Sequence, residues 1–281
     1  MIIITGQTAT GKTKLALELA EKYNGELINF DSRQIYKYLD IITGKDIPKT
    51  KIWLYDVVTP DQYFSSFDYV SIITPVVEDM KKRGKTPILV GGTYLYLKHF
   101  LYGIDDNNSP PDFELRNELN TKSIQELQKK LSSLNLQVFK KLNHSDQFNP
   151  RRLIRKIEIE INQQKYGIKT TMSKPQKKFS IQQFIGIKYK DKLRLREIII
   201  KRVEERLKNG AIDEVKKILK MGYKASDPGL KTIGYQQIIR FLNNELTKEK
   251  AVEDWINKEV QYAKRQLTFM KVDKNISWRE I

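Results

Sequence analysis

Over the first hundred residues, short apolar runs alternate with stretches whose apolar positions recur at helical spacing. "MIIIT" is a β-branched run that predicts a strand. "GKTKLALELAEKY" places Leu15, Ala16, Leu17, Leu19 and Ala20 at helical spacing, and Asn24-Gly25 supplies a turn. "ELINF" predicts a second strand and "IWLYDVV" a third. "FDYVSIITPVVEDMKKRG" predicts a helix that Gly84 stops, with Pro75 as an imperfection inside it. "TPILVGGT" predicts a buried strand running into Gly91-Gly92. This alternation means an α/β fold, with a parallel sheet and helices on both faces.

The pattern changes after "YGIDDNNSPPDF", where a polar cluster and Pro110-Pro111 mark a boundary. "ELRNELNTKSIQELQKKLSSL" and "NPRRLIRKIEIEINQQ" are helical and strongly polar, with no strand of the earlier type. Residues 109–178 are therefore read as a small inserted helical domain between core segments 1–108 and 179–281. "FSIQQFIGIKY", Phe179 to Tyr189, returns as a strand. The remainder reads as helix, with Gly210 and Gly222 at helix ends.

Composition narrows the class. A hydrophobic share of 40% suits a globular core. No apolar run approaches the ~20 residues needed to span a bilayer. No basic leader precedes the first strand, so a cytoplasmic protein without a membrane partner is expected. The absence of cysteine removes disulfides, thiolate catalysis and zinc–thiolate sites, and fits a reducing compartment. His99 and His144 alone make no multi-histidine metal site. The net charge of +17 is uneven: residues 1–100 carry 13 Lys/Arg against 11 Asp/Glu, and residues 101–281 carry 38 against 23. Charge alone leaves two readings open, a lysine-rich solvated surface or a polyanion-binding second half.

Gly6-Gln7-Thr8-Ala9-Thr10-Gly11-Lys12-Thr13 fits G-x-x-x-x-G-K-[ST] between a strand and a helix, as a phosphate loop requires. Its glycines let backbone N–H groups turn toward an anion, and the helix N-terminus adds partial positive charge. Lys12 adds a full charge, and the Thr13 hydroxyl can ligate Mg²⁺. The core is therefore expected to be P-loop NTPase-like. Asp31 closes the second strand in "FDSRQIY" and has three readings: a Mg²⁺ ligand, a general base, or an Asx turn that caps the next segment. "LVGGT" offers close backbone approach and the Thr93 hydroxyl, for substrate or merely for tight packing. "NPRRLIRKIEI" clusters Arg151, Arg152, Arg155 and Lys156, either as a solvated face or for bidentate phosphate contacts. Leu153, Ile154, Ile157 and Ile161 can face a core. Arg202 and Arg206 stand four apart, where Glu204 and Glu205 could neutralise them or one arginine could reach the phosphate.

Taken in order, "GQTATGKT", "DSRQIYKYLDIITGK", "LVGGTYLYLK", "NPRRLIRKIEI", "IGIKY", "KTIGYQQI" and "YAKRQLTF" resemble the tRNA dimethylallyltransferases over nearly the whole chain. The resemblance implies transfer of a dimethylallyl group from dimethylallyl diphosphate to the N6 amine of adenosine 37, beside the tRNA anticodon, with diphosphate released. It implies that Gly6, Thr8, Ala9, Thr10, Gly11, Lys12 and Thr13 cradle the diphosphate, not ATP. Arg206 would reach that diphosphate, and Mg²⁺ would be held with Thr13. Asp31 would be the base, and with Ser32, Arg33 and Gln34 would form a tRNA-contacting motif. Thr93, Arg116 and the segment Arg151, Arg152, Leu153, Ile154 and Arg155 fall at further contacts to the tRNA anticodon stem-loop. A monomer is expected.

The departures are Gln7 where proline is common, no histidine before the aspartate of "KIWLYDVV", and "IITGKD" for a Gly-Thr-Ala-Lys loop. No zinc finger follows "ISWREI". Three alternatives remain: a P-loop small-molecule kinase with an arginine-rich lid, an isopentenyltransferase acting on free adenylate, and a non-catalytic RNA-binding NTPase.

Overall fold

The N-terminal apolar run is β1 (Ile2–Gly6), and every one of its residues is buried. In the computed structural model, which describes residues 1–45, 50–103, 111–166 and 179–281, β1 lies between β4 (Thr86–Val90) and β5 (Gln183–Lys188). With β2 (Gly25–Asn29), β3 (Ile52–Trp53) and β6 (Ser277–Glu280), they form a six-stranded sheet in the order β3-β2-β4-β1-β5-β6. All neighbouring strands run parallel.

A strand buried on both faces must be apolar at successive positions, which is why β1 reads as a run rather than an alternation. Ile2 and Ile4 pack with Ala16 and Ala20 of α1 (Lys12–Lys22). Ile3 faces the other side with Phe30, with Tyr69 and Ile73 of α2 (Ser66–Lys82), with Leu97 of α3 (Tyr94–Tyr102) and with Met270. Each such isoleucine contributes about 1.5–3 kcal/mol relative to exposure. Helix α2 is started by a Ser65/Asp68 capping box. It continues through Pro75, which sits on its exposed side where water can satisfy the freed carbonyl.

The chain divides into two compact units, Met1–Leu101 with Lys177–Ile281, and Tyr102–Gln176. The first also holds α9 (Lys192–Lys208), α10 (Ala211–Lys220), α11 (Tyr235–Leu242) and α12 (Lys248–Met270). These pack around Trp255 and Tyr235 with Ile35, Leu39 and Ile42. The second unit comprises α4 (Phe113–Leu119), α5 (Ile124–Leu134), α6 (Leu136–Lys141), α7 (His144–Gln147) and α8 (Pro150–Tyr166). Its core is Leu119, Leu127, Leu131, Leu153, Ile154 and Ile157. Pro110, residues 167–178 and Asp46 of the 41–46 loop lie outside the described residues.

Three expectations change. "IWLYDVV" yields only Ile52–Trp53, because Leu54 and Asp56 take left-handed φ of 66° and 57° and turn the chain. The returning strand is Gln183–Lys188, not the whole of 179–189. The C-terminal part is not all helix: Ser277–Glu280 adds the parallel edge strand β6, four mostly exposed residues with no apolar run to announce them. No helix among the described residues is long and apolar enough to cross a membrane.

Candidate functional site

The carboxyl ends of β1, β2 and β4 open on one side of the sheet, where α/β proteins bind ligands. Beyond β1 the chain turns sharply: Gly6, Ala9 and Gly11 take φ of 139°, 65° and 73°. A Cβ on Gly6 would stand 2.1 Å from the Ile187 carbonyl oxygen, so β5 itself requires this glycine. Within the loop, Lys12 Nζ and Thr10 Oγ1 donate to the Gln7 carbonyl at 2.5 and 2.9 Å. Gln7 is buried, and its side chain is a tether. Its Oε1 accepts the Tyr189 N–H at 3.0 Å, and its Nε2 donates to the Ala263 carbonyl at 3.4 Å. A proline there would supply neither bond. The Tyr189 hydroxyl donates to the Ala9 carbonyl at 2.6 Å.

The loop lines a cleft of about 420 Å³ together with Asp31, Gly44, Arg202 and Gln266. That volume is in the range of small-ligand sites. The Asp31 N–H donates to Asn29 Oδ1 at 2.8 Å, and Asp31 Oδ1 accepts the Arg33 N–H at 2.9 Å. The Asx turn foreseen for this residue therefore exists, and it aims the carboxylate: Oδ2 lies against Gly92. Both glycines of "LVGGT" sit at close approaches, the first against backbone and the second against the Gln266 side chain. A Cβ on Gly91 would come 2.7 Å from the Phe30 carbonyl carbon, and one on Gly92 would come 2.3 Å from Gln266 Nε2. Thr93 Oγ1 accepts the Ser32 N–H at 2.9 Å and donates to Ser32 Oγ at 3.1 Å. Burial, and then the Asp31 charge, push the neighbouring Tyr262 hydroxyl up from its usual pKa. Gln34 Nε2 donates to the Thr43 and Gly44 carbonyls at 3.3 and 2.9 Å, while Arg33 reaches the Pro228 carbonyl at 3.5 Å.

The two arginines of α9 divide their tasks. Arg202 Nη1 donates to Thr8 Oγ1 of the loop at 2.9 Å and lines the cleft. Arg206 is buried, and its partner is Glu259 at 3.0 Å rather than Glu204 or Glu205; Trp255 Nε1 donates to the same carboxylate oxygen at 3.3 Å. Burial, with Arg202 nearby, pulls the Arg206 guanidinium down to about 10, so it remains a cation at neutral pH. Both guanidinium tips converge on Gly44: a Cβ there would stand 2.5 Å from Arg202 Nη2 and 2.7 Å from Arg206 Nη2.

In the helical unit, the fully buried Glu158 carboxylate takes Arg116 in a two-pronged pair at 2.9 Å for each bond, together with Arg155 and the Asp112 N–H. Burial alone would raise this carboxyl, but the hydrogen bonds from Arg116, Arg155 and Asp112 outweigh it and hold it below the usual range. Arg152 is exposed and pairs with Asp146; Arg151 is exposed too. The side chains of Leu153 and Ile154 lie in the unit's core, where they hold the arginine-bearing turn instead of presenting themselves to a ligand.

Pattern reading missed Gln266, Tyr189 and Glu259, for a common reason. A lone glutamine or glutamate on a helix, or a tyrosine just past a strand end, carries no spacing signal, and only packing brings each to the loop or to Arg206.

The family model for IPP transferases matches residues 34–273. The chain is 35% identical to the tRNA dimethylallyltransferase of Thermoanaerobacter sp. strain X514, over 99% of this chain and 90% of that one. It is 34% identical to the tRNA dimethylallyltransferase of Clostridioides difficile strain 630, covering 100% and 91%. Its structure is similar to that of the full-length tRNA isopentenylpyrophosphate transferase of Bacillus halodurans, with a TM-score of 0.72 and 31% identity, over 99% of this chain and 89% of that one.

Proposed function

This chain belongs to the IPP transferase family and prenylates tRNA; from that premise we propose how its residues divide the work of moving a dimethylallyl group from dimethylallyl diphosphate to the N6 amine of adenosine 37. The adenine amine is a weak nucleophile, and the allylic carbon gains cationic character as its C–O bond breaks. The principal demand is therefore to stabilise the departing diphosphate.

The N–H groups of Ala9 to Thr13 and the Lys12 ammonium receive that diphosphate, with Thr8 beside them. Arg202 is the arginine that touches it, and Arg206, paired with Glu259, braces Arg202 and Gly44 from behind. Mg²⁺ suits the donor set. No cluster of three acidic or histidine ligands exists among the described residues, and Mg²⁺ commonly binds through one or two protein oxygens, phosphate and water. Thr13 would hold it, and the ion would neutralise charge on the leaving group. Asp31 takes the N6 proton as the C–N bond forms. A base stacked in an anticodon loop cannot enter such a cleft, so the nucleotide is flipped out. Ser32, Arg33, Gln34 and Thr93 are then the residues that meet the flipped nucleotide. The inserted helices, through Arg151, Arg152 and the pairs of Arg116 and Arg155, grip the RNA backbone.

The observation that carries this reading is that Asp31 and the phosphate loop line one cleft. The test incubates the chain with Mg²⁺, labelled dimethylallyl diphosphate and either tRNA or AMP. Label on tRNA alone is expected. Label on AMP would indicate the free-adenylate reaction and contradict the proposal.

A further inference from the structure

Gln266 stands on α12 one turn beyond Ala263, whose carbonyl holds Gln7. It is a buried polar side chain of the core unit, and both ends of its amide are used. Oε1 accepts the Thr8 N–H at 2.9 Å, and Nε2 donates to the Gly92 carbonyl at 3.1 Å. The two partners fix the orientation of the amide, since an N–H needs its oxygen and a carbonyl needs its nitrogen. A single planar group thus spans the phosphate loop and the tip of β4. On the Gly92 side it neighbours Asp31: a Cβ at Gly92 would be 2.3 Å from Gln266 Nε2 and 3.5 Å from Asp31 Oδ2. The second glycine of "LVGGT" is therefore the space that admits this amide.

We propose that Gln266 is a positioning residue that sets the separation between the diphosphate leaving group and the Asp31 base. The inference rests on the reading of the cleft given above. Its physical basis is preorganisation. With Thr8 N–H already paired, the loop keeps its shape before a ligand arrives, and little rearrangement remains when charge develops on the diphosphate. Because the same amide holds Gly92, a shift of the loop is transmitted to the strand tip beside Asp31. Displacement of a reacting group by about 1 Å is enough to slow chemistry roughly a hundredfold. No side chain with one polar end could couple both sites.

The test uses the full chain and Gln266→Met, which preserves length and volume and forms neither bond. Calorimetric binding of inorganic diphosphate with Mg²⁺, the single-turnover rate of transfer to tRNA, tRNA binding and the melting midpoint are measured together. Diphosphate affinity is expected to fall about tenfold, the scale of one hydrogen bond, and the single-turnover rate further still. The tRNA affinity and melting midpoint are expected to hold, which a merely structural role would not allow. Unchanged diphosphate affinity and rate would overturn the inference, as would losses that extend in step to tRNA binding and melting.

A second variant, Gln266→Glu, keeps the acceptor for Thr8 but sets a carboxylate oxygen against the Gly92 carbonyl and beside an anion. It is expected to bind diphosphate more weakly than Gln266→Met, and wild-type affinity in it would also overturn the inference. Absence of diphosphate binding in the unsubstituted chain would overturn the reading of the cleft and this inference with it, a result separable because no substitution is involved.

Discussion

At the scale of single residues, the site is built from side chains whose partners define their roles. Asp31 has one oxygen engaged with the Arg33 N–H and the other turned toward Gly92. Asp31→Ala is expected to leave diphosphate binding intact while transfer falls by about 10²–10⁴, the usual range for a positioned proton acceptor. Surviving activity would remove Asp31 from the role of base. Arg206 and Glu259 are a buried pair, so Glu259→Gln leaves a buried cation without its countercharge. A loss of about 3–5 kcal/mol in denaturant unfolding is expected; an unchanged midpoint would mean that the pair bears little of the structure.

Much of this was legible in the chain itself. The spelling from Gly6 to Thr13 names the phosphate loop, and the turn chemistry of Asp31 was among its three readings. The different surroundings of Arg202 and Arg206 were not legible, because two arginines one helical turn apart look alike until Glu259 and Trp255 bury one of them.

At the scale of elements, the loop Asp40–Lys45 shows how a departure in spelling becomes a shape. Glu214 of α10 accepts the N–H groups of Asp40, Ile41 and Ile42 at 2.9, 2.6 and 3.2 Å. Lys45, its side chain nearly buried, bonds Asp40 and Asp56 at 2.7 and 2.6 Å. Gly44, at φ 65°, then lies flat against the two guanidinium tips. Gly44→Ala is expected to cost about 1–3 kcal/mol through the left-handed backbone and to weaken diphosphate binding by displacing Arg202. Equal diphosphate affinity would show that the loop tolerates a methyl there.

In the helical unit the relevant device is Glu158. Its carboxyl is held below the usual glutamate range by Arg116, Arg155 and the Asp112 N–H, so the stabilisation is fully present above the ordinary glutamate pKa and is lost as pH falls through the lowered value. Melting midpoints across acid pH are expected to drop more steeply for the unsubstituted chain than for Glu158→Gln; parallel curves would contradict this. Helical spacing in "NPRRLIRKIEI" foresaw the buried Leu153, Ile154 and Ile157. Glu158 stayed hidden because burial of a carboxylate depends on arginines from a different helix and from its own preceding turn. Strand β6 was hidden for another reason: four residues at a sheet edge need no hydrophobic pattern when β5 supplies the hydrogen-bonding template.

At the scale of the whole molecule, the α/β alternation and the interruption near residue 110 lead to the expectation of a helical insertion over 109–178; the chain divides into two compact units, the second spanning Tyr102–Gln176. The positive charge, concentrated after residue 100, matches a polyanionic substrate once the chemistry of the cleft is known. Charge alone could not distinguish that from a solvated surface. Arg151, exposed on α8, is the cleaner probe of the RNA grip, because removing Arg155 would also disturb Glu158. Arg151→Ala is expected to weaken tRNA binding with a shallower salt dependence; an unchanged slope would make it a solvated residue.

The central claim is that the phosphate loop holds a leaving group and not a nucleoside triphosphate used for energy. It is tested most directly by measuring the inorganic products released alongside prenylated tRNA, with dimethylallyl diphosphate, Mg²⁺ and ATP all present. The account predicts diphosphate released in equal amount to prenyl groups transferred, with ATP unconsumed. Phosphate released from ATP without prenyl transfer would contradict it.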